Sequence, residues 1–138
     1  MNAVLLIAHA PLASALRDAA LHAMPDAAPD VLALDVFADV LPEQTTEVAR
    51  ALVAERPAGS TLVLTDMLGA TPCNVAAALL REQGVTVLAG VNLPMLLRAL
   101  NYRGEPLAIM AERALAGGTR GVLAVHDDTA PGADGCAP

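Results

Sequence analysis

Two polar residues that lie far apart in the chain, His9 and Asp66, each end a short apolar run. His9 closes the stretch AVLLIAH, and Asp66 closes the stretch TLVLTD. A carboxylate beside an imidazole accepts a hydrogen bond from one ring nitrogen, which fixes the tautomer and leaves a lone pair on the other nitrogen. If the fold brings these two residues together, His9 is predicted to be an activated nucleophile.

The segment after Asp66, MLGATPCN, has the residue types of an anion-binding loop. Gly69 permits a tight turn, Thr71 is a good helix N-cap, and Pro72 suits the first helical position. A helix N-terminus offers free N–H groups and a positive dipole end, so Gly69, Ala70 and Thr71 are predicted to bind a phosphoryl group. Farther along, the stretch AGVNLP brings Asn92 to the same rim, as a loop brace or as the cap of the next helix.

Other groups with reactive side chains are better explained by structure than by chemistry. His22 follows Asp18 by four residues on a predicted helix, which is typical of an exposed pair. His126 lies at the start of an acidic tail, and Cys73 lies near a helix start without a second base, which favours packing. Asp35 ends a strand that is predicted to lie one strand away from the crevice, so it is interpreted as a loop brace.

The pattern of apolar residues predicts the elements that position these groups. The predicted strands are residues 3–8, 31–36, 61–66 and 86–90, with a short final strand at 122–125. The predicted helices are residues 11–24, 42–56, 72–83, 94–101 and 105–117, with proline near their starts and glycine at their ends. The four long runs are apolar on both faces, which indicates a parallel sheet covered by helices on both sides.

An alternation of strands and helices with right-handed crossovers predicts an α/β, doubly wound, flavodoxin-like sheet of order 2-1-3-4. In this order strand 2 is added on one side of strand 1 and strand 3 on the other. A ligand crevice opens at this switch point, between the carboxyl ends of strands 1 and 3. His9 and Asp66 stand at those two ends. The topology therefore predicts that they meet, and the short C-terminal strand is expected to run antiparallel.

Length and composition indicate one domain over residues 1–125, followed by a disordered acidic tail over residues 126–138. The chain has 138 residues, is 55% hydrophobic, and contains no Trp, one Tyr and one Phe, so its core must consist of Ala, Leu and Val. The net charge of −7 argues against nucleic-acid binding and favours a basic partner. No signal peptide or membrane span is evident, which predicts a cytoplasmic protein. The two cysteines lie far apart, and neither a metal site nor a cofactor is predicted.

Three segments, VLLIAHAPLASAL, LVLTDMLGATPCNVA and VLAGVNLPMLLRAL, resemble the enzyme IIA domain of the mannose-type sugar phosphotransferase system, or PTS. The second is similar to the family's Asp-x-x-Gly-Gly-Ser-Pro-x-Asn signature and the third to its Gly-Val-Asn-x-Pro-Met-Leu signature. The resemblance covers about residues 2–125. It implies a phosphotransferase in which the small phosphocarrier HPr phosphorylates His9, Asp66 orients the ring, and a IIB partner receives the group. It also implies a homodimer in which the final strand pairs with the partner's sheet.

The sequence departs from the family pattern at a few positions. Ala10 stands where the family commonly has Gly, and Pro11 follows it; Ala70 replaces the second Gly of the signature, and Thr71 replaces Ser but keeps the hydroxyl. No IIB domain is expected to follow the IIA-like segment, and the protein is expected either to feed a separate transporter subunit or to end a regulatory relay. Two other functions stay open: a small tetrapyrrole metal chelatase, which the stretch LLIAHA also resembles, and a binding-only regulatory domain.

Overall fold

The computed structural model describes residues 1–127, except the side chains of residues 82 and 83. The strands are β1 (Ala3–His9), β2 (Val31–Val36), β3 (Thr61–Thr65) and β4 (Thr86–Ala89). The helices are α1 (Leu12–Ala23), α2 (Pro42–Ala54), α3 (Thr71–Ala78), α4 (Leu80–Gln83), α5 (Leu93–Asn101) and α6 (Leu107–Arg120), and a 3₁₀ helix covers Pro25–Asp30. None of the helices in residues 1–127 is long and apolar enough to cross a membrane.

The strands form one all-parallel sheet of order β2-β1-β3-β4, which confirms the predicted order. In β1 every residue from Ala3 to Ala8 is fully buried, as expected for a central strand that is covered on both faces. His9 is the first residue of this strand to reach solvent, and it lies opposite Val36 of β2. Ile7 lies opposite Thr65, so β1 and β3 end side by side.

Alternate residues of the strands enter two separate cores. On one face Leu6 and Leu64 pack with residues of α1, α5 and α6, such as Ala13, Leu96 and Met110. On the other face Leu5, Ile7 and Val63 pack with residues of α2 and α3, such as Ala49, Val53, Val75 and Ala76. Small alanine side chains at the helix contacts allow close approach to the sheet. The helices on both faces confirm the predicted doubly wound α/β class.

The structure differs from several of the predicted elements. The helix predicted over residues 72–83 is divided into α3 and α4, because the Leu79 N–H bonds to Ala76 O at 3.0 Å, three residues back, which tightens the turn. The 3₁₀ helix was not predicted. The helix predicted to end at residue 117 continues as α6 to Arg120.

The glycines near the end of α6 serve packing rather than helix termination. A Cβ atom at Gly117 would lie 2.8 Å from Arg98 Cβ, and one at Gly118 would lie 2.9 Å from Met95 Cβ. Both partners are on α5, so glycine at these positions allows the two helices to pack closely.

Beyond α6, the described part of the final segment, residues 122–127, has neither helix nor strand. The strand predicted at residues 122–125 is therefore not formed within a single chain. Val122, Leu123 and Val125 are exposed in it. Most of the predicted disordered tail lies outside the described residues.

Replacement of Gly118 by valine is expected to lower the free energy of unfolding by about 1–3 kcal/mol, because the added atoms overlap Met95 and force α5 and α6 apart. Urea unfolding measures the change. Thr119→Val is the matched control, since Thr119 is the next residue of α6 and faces solvent. It is expected to change stability by less than about 0.5 kcal/mol. Equal effects of the two substitutions would contradict the packing role of Gly118.

Candidate functional site

His9 and Asp66 meet at the carboxyl ends of β1 and β3. The ring atom Nδ1 of His9 lies 2.6 Å from Asp66 Oδ2, and the backbone N–H of His9 donates to the same oxygen at 2.9 Å. The backbone N–H of Met67 donates to Asp66 Oδ1 at 2.8 Å. The side chain of His9 is 57% exposed, whereas that of Asp66 is 12% exposed. The carboxylate is thus held at both oxygens, and it holds an exposed imidazole.

The protonation of Asp66 determines which nitrogen of His9 is reactive. Burial raises the pKa of the Asp66 carboxyl, but the hydrogen bonds from the His9 backbone, the His9 ring and the Met67 backbone outweigh it and hold the pKa below its usual value. Asp66 is therefore a carboxylate at neutral pH. A carboxylate only accepts hydrogen bonds, so Nδ1 carries the proton and Nε2 keeps its lone pair.

The loop between Asp66 and α3 has the turn that was predicted, with its cap shifted by one residue. Gly69 has φ of +87°, a value that glycine adopts without strain. Ala70 is the N-cap, with φ of −88° and no side-chain bond, so this position does not require glycine. The prediction that Thr71 caps the helix is wrong: Thr71 and Pro72 are the first two residues of α3, because the turn at Gly69 ends one residue earlier.

The loop that follows Asp66 has unbonded hydrogen-bond donors. Among residues 1–127, the backbone N–H groups of Gly69 and Thr71 donate to no other group, and the Thr71 side chain is not used as a cap. The N–H of Ala70 already donates to Met67 O at 3.3 Å. Two N–H groups and one hydroxyl at a helix N-terminus can hold the oxygens of a phosphoryl group.

Asn92 braces the neighbouring loop. Its side chain accepts a hydrogen bond from the Met95 N–H at 2.9 Å, as the N-cap of α5, and donates one to Gly118 O at 3.0 Å. The same loop is joined to the end of β3, since Gly90 N–H donates to Asp66 O at 3.0 Å. Asn92 thus links α5 and α6, and its side chain bonds to these helices rather than to His9.

Asp35 fixes the helix that follows His9. One of its oxygens accepts from the Ser14 N–H at 3.1 Å, and the other accepts from the Ser14 hydroxyl. This contact holds the first turn of α1 close to β2, just after the cis peptide bond Ala10–Pro11. Cys73 is buried in α3, and His22 and His126 are exposed away from the bonds described above.

Sequence reasoning missed a set of exposed apolar side chains in the segments that follow the carboxyl ends of β1, β2 and β3. We call this set the apolar rim; it consists of Leu12, Phe37, Val40, Leu41, Met67 and Leu68. Leu68 is 82% exposed, and the only Phe of the chain is 54% exposed. Exposed apolar patches of this kind are typical of interaction surfaces. The signal was present in the sequence, because FADVL and ML are apolar stretches within predicted loops, where polar residues are usual.

His9 lies on an open surface. A groove of about 280 Å³ lies between α2 and α3, lined by Glu43, Glu47 and Asn74 among others, and it includes neither His9 nor Asp66. Within residues 1–127, no three His, Cys, Asp or Glu side chains come together as a metal site. An exposed histidine among exposed apolar side chains is suited to contact with a protein partner rather than with an enclosed small molecule.

Known proteins share this fold. No curated protein matches the sequence. The fold is similar to that of phosphotransferase system component EIIA from Streptococcus agalactiae, with a TM-score of 0.80, 24% identity, and coverage of 90% of this chain and 97% of that chain. It is also similar to the mannose/sorbose specific IIA subunit of the phosphotransferase system from Enterococcus faecalis, with a TM-score of 0.82, 25% identity, and coverage of 91% and 96%. Residues 3–114 match the family model EIIA-man, described as PTS system fructose IIA component. The chain therefore belongs to the EIIA-man family of phosphotransferase system IIA components.

Proposed function

We propose that the protein accepts a phosphoryl group from HPr on Nε2 of His9, forming a phosphohistidine, and passes it to a IIB partner or carries it as a regulatory signal. The observation that carries this proposal is the 2.6 Å contact between His9 Nδ1 and Asp66 Oδ2, which leaves Nε2 unbonded on an open surface. The family implies phosphotransfer in general, and the geometry supports His9 as the acceptor within this chain.

In the proposed transfer, the lone pair of Nε2 attacks the phosphorus of phospho-HPr, and the bond between phosphorus and the carrier's histidine breaks. The His9 ring becomes cationic as the new bond forms, and the Asp66 carboxylate stabilises that charge. The N–H groups of Gly69 and Thr71 and the Thr71 hydroxyl bind the transferred oxygens. Asn92 and Asp35 act as braces and do not touch the reacting atoms.

Docking of the carrier is proposed to use the apolar rim, with the overall charge guiding the approach. The protein carries a net charge of −7, so a carrier with a basic docking face is attracted before contact. The rim side chains then lose water against the partner's surface. We propose that the protein acts in the cytoplasm together with its carrier.

The rate of phosphorylation by phospho-HPr is expected to fall several-fold between low and high ionic strength, because salt screens the attraction between the two proteins. Stopped-flow or quenched-flow labelling at a series of salt concentrations measures this. A rate that does not change with salt would contradict electrostatic docking at this site.

We further propose a homodimer in which residues 122–125 of each chain pair with the partner's β4. In the described chain β4 is an edge strand with apolar, half-buried residues, and Val122, Leu123 and Val125 are exposed. Unpaired apolar edges of this kind favour strand addition. The sequence at this point, GVLAV, suits a short strand.

A chain that ends after Gly121 is expected to be monomeric or to aggregate, whereas the full chain is expected to be a dimer by light scattering. This end point keeps α6 complete, since the helix ends at Arg120. A full-length variant with Val122, Leu123 and Val125 changed to Ser controls for length and is expected to behave like the shortened chain. A dimer in all three proteins would contradict strand exchange.

Incubation with enzyme I, HPr and labelled phosphoenolpyruvate tests the proposed function. Phosphotransfer predicts one label on His9 that is labile in acid and stable in alkali. A binding-only domain predicts HPr binding without label, and a tetrapyrrole chelatase predicts neither label nor HPr binding. Either of the last two results would contradict the proposed function.

A further inference from the structure

The open surface around His9 bears on which molecules can donate a phosphoryl group to it. The His9 side chain is 57% exposed, and the adjoining residues Met67, Leu68 and Gly69 are exposed as well. The groove between α2 and α3 includes none of them. A donor molecule therefore reaches Nε2 without displacement of a lid or wall, and docking of a whole protein is not a geometric requirement for attack.

We propose that His9 also takes phosphoryl groups directly from small phosphoramidates, without a carrier protein. This proposal rests on the acceptor role of His9 proposed above and extends it to a class of substrate. The bond formed at Nε2 is a P–N bond, so a donor that itself holds phosphorus through a P–N bond can exchange without a large free-energy difference. Phosphate esters are excluded, because an alkoxide is a poor leaving group.

Charge also selects among the small donors. The protein carries −7, which repels multiply charged anions. Phosphoramidate is a zwitterion with a protonated nitrogen and a single net negative charge, and is therefore repelled less than acyl phosphates. The His9 side chain is 57% exposed, so the rate is expected to rise linearly with donor concentration rather than to saturate.

The transfer balances without a co-reactant. The Nε2 lone pair attacks phosphorus, the P–N bond of the donor breaks, and its electron pair leaves with the donor nitrogen as ammonia. The His9 ring keeps its Nδ1 proton and becomes cationic, next to the Asp66 carboxylate at 2.6 Å. The transferred oxygens meet the unbonded N–H groups of Gly69 and Thr71.

The other two histidines provide internal comparators. His22 and His126 are both exposed, and neither ring has a hydrogen bond or ion pair within the part of the chain that the structure describes. Uncatalysed reaction with phosphoramidate would label all three residues at similar rates. Activation by Asp66 would make the labelling of His9 faster than that of the other two histidines. Only the labelling rate of His9 would depend on Asp66.

The experiment incubates the full chain with potassium phosphoramidate and follows each phosphohistidine by mass spectrometry. His9 is expected to be labelled about tenfold faster or more than His22 and His126. Asp66→Asn is expected to remove that advantage while the rates at His22 and His126 stay unchanged, and circular dichroism checks that the variant remains folded. Similar rates at the three histidines, or a fast rate at His9 that persists in Asp66→Asn, would overturn the proposal.

Parallel labelling by phospho-HPr separates this proposal from the proposed function. Selective labelling of His9 by phosphoramidate but not by phospho-HPr would support direct transfer and contradict the carrier role. Labelling by phospho-HPr without selectivity for His9 in phosphoramidate would overturn direct transfer and leave the carrier role standing.

Discussion

Replacement of His9 by alanine is expected to abolish phosphorylation by phospho-HPr and to leave the fold intact. The substitution removes the only ring nitrogen that the site presents to a donor. It removes little packing, because the side chain is 57% exposed and its single side-chain bond is to Asp66. The backbone N–H at position 9 still donates to Asp66 Oδ2, and Met67 N–H still donates to Oδ1. Labelled phosphoenolpyruvate with enzyme I and HPr measures the loss, and circular dichroism checks the fold.

His22→Ala and His126→Ala are the matched controls, since both residues are exposed histidines outside the site. Each is expected to label at the rate of the parent protein. If His9→Ala still accepted phosphate on a histidine, or if either control lost its label, the assignment of His9 as acceptor would be wrong.

The central part of the site could be predicted from the sequence because it depends on topology. The apolar runs that become β1 and β3 are continuous, so they predict a parallel sheet, and a strand order of 2-1-3-4 places the ends of those strands side by side. The contact between His9 and Asp66 can therefore be predicted without any knowledge of side-chain packing. The tight turn at Gly69 could be predicted for a different reason, because a positive φ is a local property of one residue.

What the sequence did not predict depends on packing between elements. Gly117 and Gly118 resemble a helix stop, but their role becomes clear only when α5 lies against them. The apolar rim consists of exposed residues from segments that are distant in sequence, and the parallel order of β2, β1 and β3 places these segments at the same edge of the sheet. The pairing of Ser14 with Asp35 likewise requires α1 to be placed beside β2. The local pattern of residue types does not show which of these distant elements come into contact.

Replacement of Asp66 by asparagine is expected to slow labelling of His9 by about a hundredfold or more, while the final extent of labelling changes less. The structure gives a specific reason. All three groups that contact the Asp66 carboxylate, the His9 ring, the His9 N–H and the Met67 N–H, require an acceptor. Asparagine has one oxygen, so its NH₂ must face either Met67 N–H or the two groups of His9.

Each orientation of the asparagine is unfavourable. With the oxygen toward His9, two donors oppose each other at Met67, and the cationic ring formed during transfer loses its counter-charge. With the NH₂ toward His9, it donates to Nδ1 and moves the ring proton to Nε2, which removes the nucleophilic lone pair. Quenched-flow labelling by phospho-HPr gives the rate, and urea unfolding measures any loss of stability separately.

Asp35→Asn is the matched control for this substitution. Asp35 is also a carboxylate at the end of a strand of the same sheet, and it also accepts from a backbone N–H and a side chain, those of Ser14. Replacement of Asp35 by asparagine removes the same charge and the same kind of hydrogen bond. Asp35 does not contact the His9 ring. The control is therefore expected to lose stability while it labels His9 within a few-fold of the parent rate. If both variants slowed labelling equally, the effect would come from overall charge or stability, and Asp66 would have no specific role in setting the tautomer of His9.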